Sequence, residues 1–291
     1  VALAGGVTKP APMAVDADGE WRLSEDTLRK AITPKSRVLI VNSPHNPTGK
    51  VFSREELETI ARVVRDENRN RLPGDELLVI ADEVYKYVCH GDEQHIHFAS
   101  LPEMDDITLT VSSAGKTFSA TGWQIGWIVG PRHLIQPCQA LLPYLQFCAP
   151  TPMQQALADC LDEADSEYEG EPSYYAWLAK SYRRKRRVLA EALTAACVEP
   201  LPSQGGYFVV GDVSNLLELM PDEYRDGKVA ADWAFCRWLA AEHGVVAIPS
   251  SPFFTDEPTR PLVRFAFCKS DEILGVAAAR LKALSDSCRV G

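Results

Sequence analysis

Short apolar runs that stop abruptly at polar or turn residues alternate with stretches of helical spacing along the first half of the chain. Val38 to Val41, Leu77 to Ala81, Ile107 to Val111 and Ile125 to Val129 have the continuous apolar character of parallel strands buried on both faces. Between the first two, Ser53 and Glu56 form a capping-box pair that opens a helix through about Val64, with Leu57, Ile60 and Val64 along one side. Arg65 to Glu76, rich in Arg, Asn and Asp and broken by Pro73-Gly74, reads as a surface loop. This strand, helix, strand rhythm predicts an α/β fold: a mostly parallel sheet with covering helices.

After Pro131 the spacing turns helical to about Cys148, and again from Pro152 to about Ala164. An acidic stretch ends near Pro172, and a long helix follows to about Cys197. Its run Arg183, Arg184, Lys185, Arg186, Arg187 points around much of the helix circumference, which reads as a solvated surface rather than a nucleic-acid patch. Strands are expected near Tyr207 to Val210, Val245 to Ile248 and Leu262 to Phe267. The order predicts a large domain over 1–175 and a smaller C-terminal α+β domain over 176–291.

Composition narrows the function. A chain of 291 residues, 46% hydrophobic and 24% charged, is that of an ordinary globular protein with a sizeable core. No apolar run reaches the roughly 18 residues of a membrane span, so a membrane partner is not expected. The formal net charge of −10 repels phosphate backbones, which argues against nucleic acid. The cysteines, Cys89, Cys138, Cys148, Cys160, Cys197, Cys236, Cys268 and Cys288, are scattered without a C-x-x-C pair. They read as reduced thiols of a cytoplasmic protein. The first residue is Val1, and the first twelve residues lack both the basic flank and the apolar stretch of a signal peptide, so the true N-terminus is expected to lie upstream.

Three polar signatures sit just past the carboxyl ends of the first three predicted strands, where open α/β sheets place their ligands. They are Asn42-Ser43-Pro44-His45-Asn46-Pro47-Thr48-Gly49, Asp82-Glu83-Val84-Tyr85 and Ser113-Ala114-Gly115-Lys116-Thr117. Taken singly, each also reads as a plain turn, a capping acid or a surface lysine. Recurrence at successive strand ends favours a shared site. Gly115-Lys116-Thr117 is not a nucleotide-binding loop, because Thr110 stands where that motif needs its first glycine, and neither G-x-G-x-x-G nor G-x-S-x-G occurs.

With these residues in view, the chain resembles the class I, fold-type I pyridoxal-phosphate aminotransferases over essentially its whole length. SSAGKTFSATGWQIGW (112–127) is similar to the lysine signature of that class, closest to kynurenine aminotransferases that double as cysteine-S-conjugate β-lyases. NSPHNPTGKVFSREEL (42–57), ADEVY (81–85), HIHFASLP (95–102), QGGYFVV (204–210), GVVAIPSSPF (244–253) and VRFAF (263–267) support it. The resemblance implies pyridoxal 5′-phosphate as cofactor. It implies that Lys116 makes the covalent link to the cofactor aldehyde and shuttles a proton, and that Asp82 faces the pyridine nitrogen. Tyr85 and Asn46 would share the cofactor O3′, and Asn46 would also reach the substrate carboxylate. Arg264 would grip that carboxylate with two parallel hydrogen bonds, with a structural ion pair as its other reading, and Ser113 would bind the cofactor phosphate.

One position departs from the pattern. Gln124 stands where the family usually has a phosphate-binding cation, so the amide there offers a hydrogen bond and no charge. Phe147 and Cys148 fall in a stretch that, by resemblance, reaches the neighbouring subunit of a homodimer, or else simply packs a helix end. By the same resemblance residue 1 aligns within the large domain, so the covering N-terminal arm, the phosphate-cradling loop and the ring-stacking aromatic are expected to be missing. His90, His95 and His97 lie beside Cys89, but the spacing lacks a second ligand pair, and no metal is expected.

The implied activity is transamination: an amino group moves from kynurenine, glutamine or an aromatic amino acid to a 2-oxo acid. The alternatives are β-lyase activity on cysteine S-conjugates, or a catalytically silent pyridoxal-phosphate-binding or interaction protein.

Overall fold

In the computed structural model of the protein, residues 1–225, 227–255 and 260–288 are described. The chain opens with a two-stranded ribbon, β1 (Ala14–Val15) and β2 (Trp21–Arg22), followed by α1 (Glu25–Ala31). Next come β3 (Val38–Asn42), α2 (Arg54–Asn68), β4 (Leu78–Asp82), β5 (Thr108–Ser113), α3 (Ala114–Thr117) and β6 (Gly126–Val129). Three helices follow, α4 (Arg132–Leu145), α5 (Thr151–Glu163) and α6 (Tyr174–Ala195). The rest is β7 (Glu199–Pro200), β8 (Phe208–Asp212), α7 (Ala231–His243), β9 (Ile248–Pro249), β10 (Leu262–Ala266) and α8 (Asp271–Cys288). The fold is α/β, with a mixed, mostly parallel sheet and a separate antiparallel sheet.

The chain divides into two units. The first holds Val1–Ala14, Arg22–Pro44 and Val51–Leu178; the second holds Val15–Trp21, His45–Lys50 and Ala179–Gly291. In the first unit the sheet order is β3-β4-β5-β6. β3, β4 and β5 run parallel, in a register that sets Asn42 beside Asp82 and Asp82 beside Val111. Helix α2 begins where the capping box places it. Ser53 Oγ accepts from the Glu56 amide at 3.2 Å, and the Glu56 carboxylate accepts from the Ser53 amide at 2.9 Å. Leu57, Ile60, Ala61, Val63 and Val64 on α2 bury against Val41, Leu77, Val79 and Ala81 of the sheet region, together with Phe98, Leu101 and Met104.

Three expectations change. β6 pairs antiparallel to β5, Ser113 against Gly126, because after α3 the chain turns back beside β5 instead of crossing over the sheet. The strands are not covered on both faces: Val38, Ile40, Ile128 and Val129 are exposed. The loop expected from Arg65 starts later, since α2 continues to Asn68 and Asn68 then ties the turn, its Oδ1 accepting from the Leu77 amide at 2.7 Å.

In the second unit, β7-β8-β10-β9 form an antiparallel sheet. Phe208, Val209, Val210, Val263, Phe265 and Phe267 are buried along it, and α7 packs on β10 and on α8. On α6, Arg183, Arg184 and Arg187 face solvent, and Arg184 pairs with Asp271 at 2.8 Å. No helix among the described residues is long and apolar enough to cross a membrane.

Candidate active site

In the first unit the parallel strands deliver the polar signatures to one end of the sheet. Asp82 closes β4, and its main-chain carbonyl accepts from Asn42 Nδ2 at 3.0 Å and from the Ser43 amide at 3.1 Å, which locks the two strand ends together. Its carboxylate is half-buried and accepts from the Val84 amide at 3.3 Å. Burial pushes the Asp82 carboxyl above its ordinary value; the Val84 hydrogen bond and the Lys116 charge pull it down, and neighbouring Glu83 pushes it up. Tyr85, 4% exposed, lies in the turn that follows, where its carbonyl accepts from the Val88 amide at 2.7 Å.

Lys116 rides on α3, the short helix that β5 feeds directly. The loop after it folds back under the helix. The Ala114 amide donates to the Ile125 carbonyl at 3.0 Å, and Thr121 Oγ1 donates to the Gly115 carbonyl at 3.2 Å. Gly115 fits this approach closely: a Cβ there would lie 3.1 Å from Thr121 Cα and press on that backbone. On the other side, the Tyr174 hydroxyl donates to the Thr117 carbonyl at 2.8 Å and its ring stacks on Phe118. Beneath α3, Ala114, Ile125 and Leu157 form a small core with Trp123 and Trp127. The backbone under Lys116 is therefore held from several directions, while its half-buried ammonium has no hydrogen-bond partner among the described residues.

Ser113 caps α3 in an extended conformation without a capping hydrogen bond from its side chain. Gln124 is exposed, left-handed at φ 55°, and donates its amide to the Thr121 carbonyl at 2.7 Å. One of the two N–H donors of its amide is thus engaged locally.

Asn46 and Arg264 belong to the second unit, where they meet. Arg264, on β10 opposite Val210 and Ile248, donates Nη1 to Asn46 Oδ1 at 2.7 Å. Its guanidinium lies 4.4 Å from the Phe208 ring centre and 5.3 Å from that of Phe253. The loop carrying Asn46 is seated by Gly49, whose carbonyl accepts from the Gln204 amide at 2.8 Å and the Gly205 amide at 2.7 Å. His45 hydrogen-bonds Thr48 at 2.9 Å, and burial holds its imidazole down at about 4, so it is neutral at neutral pH.

The structure thus places Asp82, Tyr85, Ser113, Lys116 and Gln124 in the first unit and pairs Asn46 with Arg264 in the second. Sequence reasoning missed the aromatic clasp around Arg264, although Phe208 and Phe253 fall inside two of the segments quoted for the resemblance. It also missed Glu83 as a hub. Buried Glu83 Oε1 accepts from the Phe98 amide at 3.0 Å, and Oε2 lies 3.0 Å from His95 Nε2 and takes a hydrogen bond from His97 Nδ1. Burial raises its carboxyl, but the two histidines and the Phe98 amide outweigh that and bring it down to about 2.

Phe147 and Cys148 are exposed just after α4, next to the exposed Leu141, Leu142, Tyr144 and Leu145. The described cysteine side chains are free thiols; that of Cys288 lies outside the described residues.

The family model for aminotransferase class I and II matches residues 1–281. A kynurenine–oxoglutarate transaminase of Dictyostelium discoideum is 39% identical over 260 residues, covering 86% of this chain and 57% of that protein. Kynurenine–oxoglutarate transaminase 1 of Rattus norvegicus is 34% identical over 278 residues, covering 94% of this chain and 64% of that protein. The chain therefore spans about three fifths of the length of these relatives. Among solved structures, N-succinyldiaminopimelate aminotransferase of Mycobacterium tuberculosis superposes with a TM-score of 0.79 at 38% identity, over 94% of this chain and 64% of its own. Sequence and backbone agree over nearly the whole chain, and it belongs to the class I and II aminotransferases.

Proposed function

We propose that this chain is the catalytic part of a pyridoxal 5′-phosphate-dependent transaminase that takes its amino group from kynurenine, glutamine or an aromatic amino acid and passes it to a 2-oxo acid. The observation that carries the reading is the pairing of Asp82 and Lys116 at the ends of adjacent parallel strands: a partly desolvated carboxylate within the field of an ammonium that has no hydrogen-bond partner. The donor class follows the relatives named kynurenine–oxoglutarate transaminase.

The residues fit the cofactor at two of its ends and less fully at the third. A fixed amine suits its aldehyde and a partly buried carboxylate suits its ring nitrogen, whereas the phosphate end is offered the Ser113 hydroxyl and, at Gln124, an uncharged amide with one of its two donors already engaged. Pyridoxal 5′-phosphate, when bound, supplies an aldehyde that exchanges amines and a ring that withdraws electrons from the substrate Cα. Lys116 Nζ would hold that aldehyde and, once displaced, take up and return the Cα proton. The Asp82 carboxylate would hold a proton on the ring nitrogen, and the Tyr85 hydroxyl would hydrogen-bond the neighbouring ring oxygen. In the second unit, Arg264 would bind the substrate α-carboxylate. Asn46 and the two phenyl faces fix the plane of the guanidinium, so its donors are aimed before substrate arrives.

A homodimer in the cytoplasm completes the proposal. The exposed apolar run around Leu142 and Phe147 supports the first part, and the free thiols support the second.

The test is spectroscopic. Purified protein with added pyridoxal 5′-phosphate is expected to develop a visible absorption band that bleaches on adding kynurenine and returns with 2-oxoglutarate. Absence of a band, or a band indifferent to every amino donor tried, would sink the proposal.

A further inference from the structure

The histidine-rich segment after β4 contains a cluster that transamination does not use. Glu83 Oε2, His95 Nε2 and His97 Nδ1 all lie within 4.8 Å of one another, in the first unit. They come from two places in the sequence, the residue after β4 and an H-x-H pair a dozen positions on, so a second ligand pair in the sequence is unnecessary. The His95 side chain is only 7% exposed. Its Nε2 sits 3.0 Å from Glu83 Oε2, an ion-pair contact that aims a buried ring nitrogen at the same oxygen His97 holds, and its Nδ1 has no hydrogen-bond partner among the described residues.

We propose that Glu83, His95 and His97 form a binding site for a divalent transition-metal ion of the Zn²⁺ class. Two imidazole nitrogens and one carboxylate oxygen are the borderline donors such an ion selects, in the three-ligand arrangement that leaves a coordination position for water. Donors at about 2.0–2.2 Å from a shared ion lie roughly 3–3.5 Å apart, which Glu83 Oε2 and His95 Nε2 at 3.0 Å already match, while the half-exposed His97 ring would shift to complete the set. The site is braced: Glu83 Oε1 is held by the Phe98 amide, the kind of outer contact that orients a ligating carboxylate. The imidazole rings stand at 88° with centroids 5.0 Å apart, so they do not stack, and each presents a nitrogen to the same carboxylate oxygen. Access is through His97, 51% exposed, whose hydrogen bond to Glu83 gives way to the ion. None of the three residues has been given a role toward cofactor or substrate. The ion would clamp the segment from Glu83 to Phe98 to the end of β4.

Chelator-treated full chain titrated with ZnCl₂ is expected to bind one equivalent tightly, to melt at a higher temperature when loaded, and with Co²⁺ to give visible ligand-field absorption. His97→Ala, at a half-exposed position that should not disturb folding, is expected to weaken binding at least about ten-fold and abolish the rise in melting temperature. Glu83→Gln should do the same, with circular dichroism confirming its fold, and Cys89→Ser should bind like the parent. No saturable equivalent would overturn the proposal. So would binding unchanged in both His97→Ala and Glu83→Gln, which would place the ion elsewhere, or binding lost in Cys89→Ser, which would place it on that thiol.

Discussion

Gly49 and Gly19 both adopt left-handed backbone, at φ 72° and 81°, yet their surroundings differ, and the difference sets the cost of an added methyl. At Gly19 a Cβ would meet nothing within 4 Å, so Gly19→Ala carries only the conformational penalty, about 1–2 kcal/mol. At Gly49 the same Cβ would sit 2.8 Å from the Gly205 carbonyl oxygen and closer still to the Ser203 side chain. Backbone cannot yield as a flexible side chain does. Relief therefore means lifting the 45–50 loop, which strains the two amide bonds from Gln204 and Gly205 to the Gly49 carbonyl, each worth roughly 1 kcal/mol. Gly49→Ala is thus expected to cost about 3–4 kcal/mol, some 2 more than Gly19→Ala. It should also loosen the 2.7 Å contact between Asn46 and Arg264, so substrate KM rises while Gly19→Ala leaves KM unchanged. Urea unfolding followed by circular dichroism, with a KM series on the same preparations, measures both effects. Equal midpoints for the two variants, or a destabilised Gly49→Ala with parental KM, would refute the claim that this glycine seats the loop.

Lys116→Ala is expected to keep the fold and lose turnover together with the visible band, because no other described residue in the first unit offers an amine there; near-parental transamination would reject it. Asp82→Asn should retain cofactor but lose most of its rate, since a neutral amide cannot hold a ring proton, and a rate within a few-fold of the parent counts against the role. Arg264→Lys should raise KM for every amino acid alike, because a point charge replaces a planar fork; a rise confined to one substrate would mean the residue reads a side chain. Acid unfolding should report Glu83: its folded value of about 2 is below the ordinary 4.5, so the unfolded state takes up the proton first and stability is lost as pH falls from about 4.5 toward 2. Glu83→Gln should flatten that part of the profile.

The residues that the resemblance rests on are local strings, and local strings were readable. Ser53 and Glu56 cap α2 because both partners of the box lie within one turn, and Asp82 ends β4 because its apolar run ends there. What escaped depends on returns of the chain. The direction of β6 is decided by the loop that folds under α3, whose hydrogen bonds from Ala114 to Ile125 and from Thr121 to Gly115 have no periodic signature. The helix end at Asn68 depends on a side chain reaching Leu77, nine residues away. The seating of Asn46 depends on Gly49 meeting Gly205, more than a hundred and fifty positions later.

Asp82 and Glu83 show how little of a site's chemistry is carried by residue type. They are consecutive carboxylates, and Glu83 continues the ladder, its amide donating to the Val111 carbonyl at 3.0 Å. Extended backbone sends consecutive side chains to opposite sides. Asp82 thereby enters the field of Lys116 with one amide to hold it, and Glu83 turns toward His95, His97 and the Phe98 amide. Burial raises both; only Glu83 meets enough donors to reverse it, so one acid is raised and its neighbour is lowered. A raised carboxyl can share a proton with a basic ring nitrogen, whereas a lowered one stays charged and binds cations or imidazoles. Exchanging the two environments, not the two residues, would exchange the roles.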